Sequence, residues 1–250
     1  MKSVGLRWRV VFRSLLIQGS WNYRTLLGAG LGWALLPLLP RGPGHESSDR
    51  VARLAAPFNS HPYLAALAIG ALVKVESEGA DADRIRRFKD TLRGPLGSLG
   101  DGFVWGVWRP LCLVGALSAG QLGAPPLAVV LSFVVVYNAV NLALRAWGAG
   151  VGLELGFGVG EGIRRLDLPA WTERTARAGV LFLGVASGIM LSAGLDLTSP
   201  RMLLAVGASA CFGAGLLAGE SRQRWGPLLL LLIVLAGFVW GAASLLSAGS

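Results

Sequence analysis

The chain has 250 residues, of which 53% are hydrophobic and only 15% are charged, and its mean hydropathy is +0.58. Soluble domains carry about 25% charged residues, so this composition places the chain among membrane proteins rather than soluble enzymes. In a soluble protein the net charge of +9 would suggest nucleic-acid binding. Here the Lys and Arg lie in short stretches between apolar segments, where they report membrane topology, and we expect no nucleic-acid partner.

The first segment, residues 3–19, alternates three arginines with apolar and aromatic residues that include Trp8 and Phe12. A basic helix with aromatic residues is typical of a helix lying at the cytoplasmic face of a membrane. We therefore interpret residues 1–25 as an interfacial N-terminal helix. A first helix buried against the rest of the protein is an equal alternative.

Two apolar segments follow that are too short to cross a bilayer. Residues 26–39 and 62–73 contain about 14 and about 12 residues, whereas a membrane span needs roughly 20. The polar stretch 41–53 joins them. We interpret residues 26–119 as a region of re-entrant or broken helices.

The stretch 94–110, GPLGSLGDGFVWGVWRP, sets one Asp and one Arg among five glycines. Charges in an apolar chain are costly unless they are paired or face a cavity. Pro95 and Pro110 bracket the stretch and argue against one smooth helix, so we predict a broken helix or a re-entrant hairpin. The alternative is a cytoplasmic turn followed by an ordinary helix.

The two charges of this stretch, Asp101 and Arg109, would lie about 12 Å apart along a helix and should not pair directly. We expect Asp101 to accept hydrogen bonds from the turn at residues 97–100 or from a helix N-terminus. We expect Arg109 to hold a carbonyl or a carboxylate of a neighbouring broken helix, with Glu76 as one candidate.

The rest of the chain contains a charged loop at residues 81–93, an apolar segment at 103–119, a turn at 120–126 and a strongly apolar helix at 127–144. Asn138 and Asn141 lie on one face of that last helix, where amides usually join helices. Three further spans are predicted at residues 178–195, 202–219 and 227–247.

The distribution of Lys and Arg predicts the topology. It places the N-terminus and the basic stretches 84–93, 164–177 and 222–224 in the cytoplasm, and the C-terminus outside. We therefore predict an all-α, multi-pass protein of the bacterial inner membrane. Its N-terminal half has broken or re-entrant helices, residues 120–250 are transmembrane helices, and three clear spans lie at the C-terminal end.

The sequence contains no Walker A loop, HExxH motif, cysteine cluster or Ser-His-Asp pattern. We therefore expect no catalytic residue, metal site or cofactor. Several polar residues instead lie in apolar surroundings, some of them beside tryptophan. Such a set suits a sugar, because sugar hydroxyls hydrogen-bond amides and carboxylates while the C–H face stacks on indole.

The candidate substrate-binding residues are Gln18, Asn22, Asn59, His61, Glu76, Asp101, Trp105 and Arg109. Each of them, taken alone, fits a structural role at the end of a broken helix equally well. A lone histidine in particular is more often a structural hydrogen-bonder than a catalyst. For the whole set we favour a path for a polar solute.

Four motifs, in the same order and at similar spacing, resemble the IID component of mannose-family phosphotransferase systems. They are QGSWNYRTLLGAGLGWALLP (18–37), FNSHPYLAALAIG (58–70), GPLGSLGDGFVWGVWRP (94–110) and YNAVNLALRAWGAGVGLELG (137–156). The C-terminal GPLLLLLIVLAGFVWGAASLL resembles the closing helix of that family. The similarity covers nearly the whole chain.

The resemblance implies a membrane subunit that pairs with a IIC subunit, in a trimer of IIC–IID heterodimers. Cytoplasmic IIA and IIB components pass a phosphoryl group to the incoming hexose or amino sugar, and the IID subunit is not itself phosphorylated. The chain departs from the family pattern in places. Arg24 stands where Glu is common, Asn141 stands where Arg is common, and VESE at residues 75–78 replaces a paired-Glu ending.

These departures bear on sugar specificity and leave two other functions open. One is a non-transporting membrane scaffold or receptor on the same fold, with a regulatory or partner-binding role. The other is an ion or small-solute channel built on the same broken helices. Adjacent genes for IIC, IIA and IIB components would favour the transporter.

Overall fold

The computed structural model describes residues 2–40 and 48–192. Within these ranges the chain is helical and has no strand, apart from two isolated β-bridges that join Leu26 to Asn22 and to Phe58. The helices are α1 (Lys2–Leu15), α2 (Gly28–Leu35), α3 (Ser48–Ala55), α4 (Ala65–Ser77), α5 (Ala82–Gly100), a π-helical segment (Asp101–Trp108), α6 (Arg109–Gln121), α7 (Pro126–Leu155), α8 (Val159–Leu166) and α9 (Leu168–Ser192). The all-α prediction is confirmed for this part of the chain.

The chain divides into two compact units, Met1–Gly179 and Val180–Ser250. All the geometry below belongs to the first unit. Of the second unit, the structure describes only the end of α9. The predicted spans 202–219 and 227–247, most of the connection before them and the predicted position of the C-terminus lie outside the described residues.

Helix α4 is the core of the first unit, and it packs against α7, α1, α5 and α2. Its sequence AALAIGALVKVES is apolar almost all round, as expected for a helix that is buried on every face. Small residues bring it close to α7, because a Cβ at Gly152 would overlap the backbone of Leu67. Close approach through small residues is the usual way in which helices pack in membranes.

The stretch 94–110 forms no hairpin. α5, the π-helical segment and α6 make one continuous helical run, Ala82–Gln121, so the predicted break is a local widening of a helix. The wider π turn leads into α6, and Pro110 lies in the first turn of α6. The missing N–H of a proline is tolerated in the first turn of a helix. Residues 81–93, predicted as a loop, form the first half of α5, which the Asp81 side chain caps by accepting from the Arg84 backbone N–H at 3.0 Å.

Among the described residues, two helical runs, Ala82–Gln121 and Pro126–Gly184, are long and apolar enough to cross a membrane by length and composition. The predicted helix 127–144 is confirmed and extends to Leu155, and the predicted turn before it contains Gly123 at φ 94°. α2 and α4 are short, as their sequences suggested. α3 was not predicted, because it lies in the polar stretch 41–53.

Candidate functional site

The turn between α3 and α4, residues 57–64, is held by backbone hydrogen bonds to two other elements. The Leu27 N–H donates to the Phe58 carbonyl at 2.9 Å, and the His61 N–H donates to the Leu96 carbonyl of α5 at 3.0 Å. The His61 carbonyl then accepts from Leu64 and Ala65 at the start of α4. His61 is thus fixed at a helix N-terminus, between the core helix and the long helical run.

The two nitrogens of His61 have different environments. Nδ1 accepts from the Tyr63 backbone N–H at 3.2 Å, so the proton of the neutral ring is on Nε2. Nε2 is fully buried and has no hydrogen-bond partner in the described structure. Burial, and then the nearby Arg145 cation, lower the pKa of His61 to about 4, so the ring is neutral at physiological pH. The Nε2–H is therefore a buried donor, and no hydrogen bond within the described part of this chain offsets its desolvation cost.

A glycine of α5 makes room for this histidine. A Cβ placed at Gly100 would overlap the Cβ and Cγ of His61. At Gly97, one turn earlier on the same face, a Cβ would meet only the Asn59 amide nitrogen at an ordinary 3.6 Å. Gly100 is thus the glycine of this stretch that permits close packing against the turn, where a side chain would not fit.

Five rings form what we call the aromatic chain: Trp105, His61, Tyr63, Tyr137 and Phe133. Their successive ring centroids are 5.3, 4.8, 6.0 and 5.4 Å apart. The aromatic chain begins at Trp105 on the π-helical segment, passes through the turn 57–64 and ends at Phe133 on α7. Such spacings are typical of stabilising ring pairs, so three separate elements share one continuous aromatic surface.

An arginine lies over each half of the aromatic chain. The Arg109 guanidinium lies 4.6 Å from the Trp105 ring centre, and that of Arg145 lies 5.4 Å from Tyr63. Arg145 is 2% exposed and has no carboxylate partner in the described residues. Its Nε donates to the Asn141 oxygen at 2.7 Å, and its Nη1 donates to the Ser14 carbonyl at 2.5 Å. A buried cation with only neutral partners is a costly feature.

The π-helical segment sorts its side chains into two faces. Phe103 and Val104 point into the core, whereas Asp101 and Trp105 are exposed, as is Arg109 directly after the segment. No ion pair joins Asp101 to Arg109, as expected from their spacing. The predicted hydrogen bonds to the Asp101 carboxylate are not formed within the described residues. A helix able to cross a membrane thus presents an acid, an indole and a guanidinium on one outer face.

Glu76 belongs to a different cluster from the one predicted. Its carboxylate is 5% exposed and accepts from Arg50 at 3.1 Å and from Arg53 at 3.0 Å. The expected contact with Arg109 is therefore not formed, because two arginines of α3 occupy both carboxylate oxygens. Lys89 completes this junction by donating to the carbonyls of Arg53, Leu54 and Ala56 at 2.8–3.1 Å.

Of the eight predicted residues, the structure joins His61, Trp105 and Arg109 by direct ring contacts. Asn59 lies in the same turn as His61, and Asp101 shares the exposed face with Trp105. Gln18 and Asn22 lie elsewhere, in the connection between α1 and α2. Asn22 bonds its own turn, since its Oδ1 accepts from Thr25 at 2.9 Å and its Nδ2 donates to the Thr25 hydroxyl at 2.8 Å.

Sequence reasoning missed Tyr63, Tyr137 and Arg145. One signal was available for Arg145, because it follows Asn138 and Asn141 at spacings of three and four, on one face of α7. The structure joins the three side chains in a hydrogen-bonded row. Within the described residues, no three metal-ligating side chains come together.

Comparison with known families and relatives gives consistent matches. The family described as "PTS system mannose/fructose/sorbose family IID component" matches residues 5–205. The mannose-specific EIID component of Escherichia coli K12 is 31% identical over 183 residues, which are 70% of this chain and 64% of that protein. The fructose permease IID component of Bacillus subtilis is 28% identical over 182 residues, 69% of this chain and 64% of the relative. The chain thus spans about 64% of the length of these relatives.

Two solved structures share the fold. One, titled "Structure of membrane protein", has a TM-score of 0.64 and is 24% identical, with 95% of this chain and 97% of that chain covered. The other contains the mannose transporter ManYZ in complex with microcin E492, with a TM-score of 0.56, 24% identity, and 96% and 94% coverage. Both support the helical fold.

Proposed function

Because the chain belongs to the family of mannose/fructose/sorbose phosphotransferase-system IID components, we propose that it is the IID subunit of a sugar permease in the bacterial inner membrane. With a IIC subunit it forms the unit that moves a hexose or amino sugar inward, where IIA and IIB components phosphorylate it. The family match over residues 5–205 is the observation that carries this proposal. No residue of this chain takes part in the phosphoryl transfer.

The aromatic chain and the exposed face beside it are the part of this subunit that we assign to the sugar. The indole of Trp105 offers an apolar surface for the C–H face of a sugar ring. We propose that the Nε2–H of His61, which is buried in this subunit, donates to a hydroxyl when the turn 57–64 opens toward the sugar, and that Asp101 and Arg109 add an acceptor and a donor at the rim. Asn59 is exposed in the same turn as His61, Gln18 and Asn22 lie between α1 and α2, and Glu76 holds α3 in place.

We assign the face of Gly94, Ser98, Gly102 and Gly106 to contact with the IIC subunit, which then also covers the sugar rim at Asp101 and Arg109. An Asp and an Arg that face lipid are costly, so a polar partner has to cover them. A Cβ at Gly102 would meet open space in this chain, which leaves room for the backbone of another helix. Each IIC–IID heterodimer is held together by this contact, and three such heterodimers form the complete permease.

Sugar uptake tests the function. The chain is expressed together with IIC, IIA and IIB components of the mannose family in a strain that lacks such permeases, and uptake of labelled mannose, fructose, sorbose and glucosamine is measured. We expect uptake of at least one of the four. Assembly with IIC but uptake of none would favour the scaffold or receptor.

Two substitutions test the sugar site. In His61→Asn, the amide oxygen replaces Nδ1 and keeps the bond to the Tyr63 N–H, but the Nε2 donor is lost. One lost hydrogen bond corresponds to about a five- to tenfold decrease in uptake. Trp105→Ala should lower uptake further. Trp171→Ala is the control, since Trp171 is 53% exposed and has no ring contact in the described residues. Normal uptake by both site variants at normal abundance would remove these residues from the sugar path.

A third variant tests the IIC contact. Gly102→Leu should leave the fold of this subunit intact but should lower its co-purification with IIC. Gly160→Leu is the matched control, because a Cβ at Gly160 also meets open space. Equal recovery of IIC with both variants would contradict the assigned contact face.

A further inference from the structure

A cleft of about 420 Å³ lies where the first half of α1 crosses the C-terminal halves of α4 and α7. We propose that it binds the headgroup of a phospholipid that carries a primary amine, with the phosphate on Arg7 and Lys74 and the ammonium on Glu154. We call it the headgroup cleft. It is separate from the aromatic chain, and the inference does not depend on which sugar is transported.

The basic side chains of the headgroup cleft are held in place but still have hydrogen-bonding capacity for a ligand. Arg7 Nε donates to the Ala146 carbonyl of α7 at 3.0 Å, and no hydrogen bond within the described residues uses its two terminal nitrogens. Gly150 lets the guanidinium lie against α7, since a Cβ there would come within 3.1 Å of the Arg7 Cζ. Lys74 pairs with Glu78 at 2.8 Å in a half-exposed contact, which binds the ammonium weakly. Arg and Lys together are suited to a phosphate.

The acidic side supplies the second half of the recognition. Glu154 lines the same cleft, yet it forms no ion pair in the part of the chain that the structure describes. Its carboxylate therefore stays more than 4 Å from both cations, although all three share one cleft. A ligand with an anionic and a cationic group satisfies both sides, whereas a simple anion would leave the carboxylate unpaired and repelled.

The surface next to the headgroup cleft provides a place for the acyl chains. Val4 lines the cleft and begins an exposed apolar row on α1 that continues through Trp8 and Phe12 to Leu16 directly after the helix, and these residues are 50–63% exposed. A spacing of four puts them on one face of the helix. Val10 and Val11 are buried and pack α1 against the core. An apolar row with a tryptophan fits the acyl region just below the headgroups.

The charge of the N-terminal region decides the side of the membrane. Residues 1–45 contain six Lys or Arg and no Asp or Glu. The positive-inside rule puts such a region in the cytoplasm, so α1 would lie in the inner leaflet. The basic and acidic side chains of the cleft then lie at headgroup level, and a bound lipid joins α1 to α4 and α7.

Lipid titration of the full-length chain, co-purified with its IIC partner and delipidated in detergent, tests the proposal. Native mass spectrometry compares phosphatidylethanolamine, phosphatidylcholine and phosphatidylglycerol with the same acyl chains. We expect the ethanolamine lipid to bind tightest. Glu154→Gln should weaken it about tenfold without weakening phosphatidylglycerol, and Arg7→Gln should weaken all three about tenfold.

Controls separate lipid recognition from folding. Arg9→Gln lies on the same helix, but its Nη2 donates to the Pro37 carbonyl, so lipid binding should not change. Lys74→Gln repeats the Arg7 test at a residue whose loss leaves α1 in place. Soluble glycerophosphoethanolamine should compete, and inorganic phosphate should not. Any one of four results would overturn the proposal: equal binding of the three lipids, unchanged binding of the ethanolamine lipid in Glu154→Gln, competition by phosphate alone, or a IIC subunit that closes the cleft to lipid.

Discussion

The contact between His61 and Gly100 makes Gly100→Ala an informative substitution. The added methyl would overlap His61 Cβ and Cγ, and the ring cannot move freely because Nδ1 and the backbone N–H are both bonded. The methyl therefore displaces either the turn 57–64 or α5. In both cases the Nε2 donor and the ring contact with Trp105 shift.

The magnitude follows from two opposing effects. Ala in a helix is favoured over Gly by about 0.5–1 kcal/mol. Overpacking a tight core costs about 1–3 kcal/mol. Gly97→Ala receives the same helical gain, but its methyl meets only an ordinary contact at 3.6 Å. Since the helical gain cancels between the two variants, Gly100→Ala should be less stable than Gly97→Ala by about 1–3 kcal/mol.

Thermal unfolding of the purified complex measures this difference. One kcal/mol shifts Tm by about 2–4 °C in a chain of this size, so a gap of several degrees is expected. Uptake measured at matched abundance should fall in Gly100→Ala and stay normal in Gly97→Ala. Equal Tm values for the two variants would refute the placement of His61 against Gly100.

Two further predictions concern buried charges. Glu76→Gln removes a carboxylate that is 5% exposed and shared by two arginines, so it should lower the free energy of unfolding by about 3–5 kcal/mol. Glu78 is exposed, so Glu78→Gln should change the free energy of unfolding by less than about 1 kcal/mol. Denaturant melts measure both values, and equal losses would contradict the buried cluster. His61 has a folded-state pKa of about 4 against about 6.5 unfolded, so below pH 6.5 the unfolded chain binds a proton that the folded chain does not. Stability should fall by about 3 kcal/mol as pH drops from 6.5 to 4, and His61→Asn should remove that part of the slope measured by melts at each pH.

The sequence predicted the elements whose signal is local. Helix α7 is a long apolar run, α2 and α4 are short apolar runs, and the turn before α7 contains Gly-Pro punctuation. The prediction failed at α5, where charge was taken to mean a loop although Asp81 gives a good N-cap. It failed again at residues 94–110, because prolines and glycines look the same in a π-helical widening as in a hairpin.

The site was only partly predictable, because its geometry joins distant segments. Trp105 and His61 could be chosen as unusual residues, but their contact depends on Gly100 and on the packing of the turn against α5. Tyr63 looked like an ordinary apolar residue of a short helix. Glu76 was one candidate partner for Arg109, and its true partners on α3 could not be predicted because the sequence gives no register between α3 and α4. Spacing identifies a helical face, whereas partners come from tertiary packing.

The excess of positive charge also has a structural use that the topology rule does not include. Three helices of the N-terminal half end where a basic side chain from elsewhere donates to their last carbonyls. Arg145 binds the Ser14 carbonyl of α1, Arg13 binds the Trp33 and Ala34 carbonyls of α2, and Lys89 binds the carbonyls at the end of α3. The last carbonyls of a helix lack intrahelical partners and carry partial negative charge, so a cation there satisfies both needs. Short helices have many such ends for their length. A chain that buries several of them therefore uses cations without matching carboxylates, which accounts for buried arginine and lysine beside neutral partners in this fold.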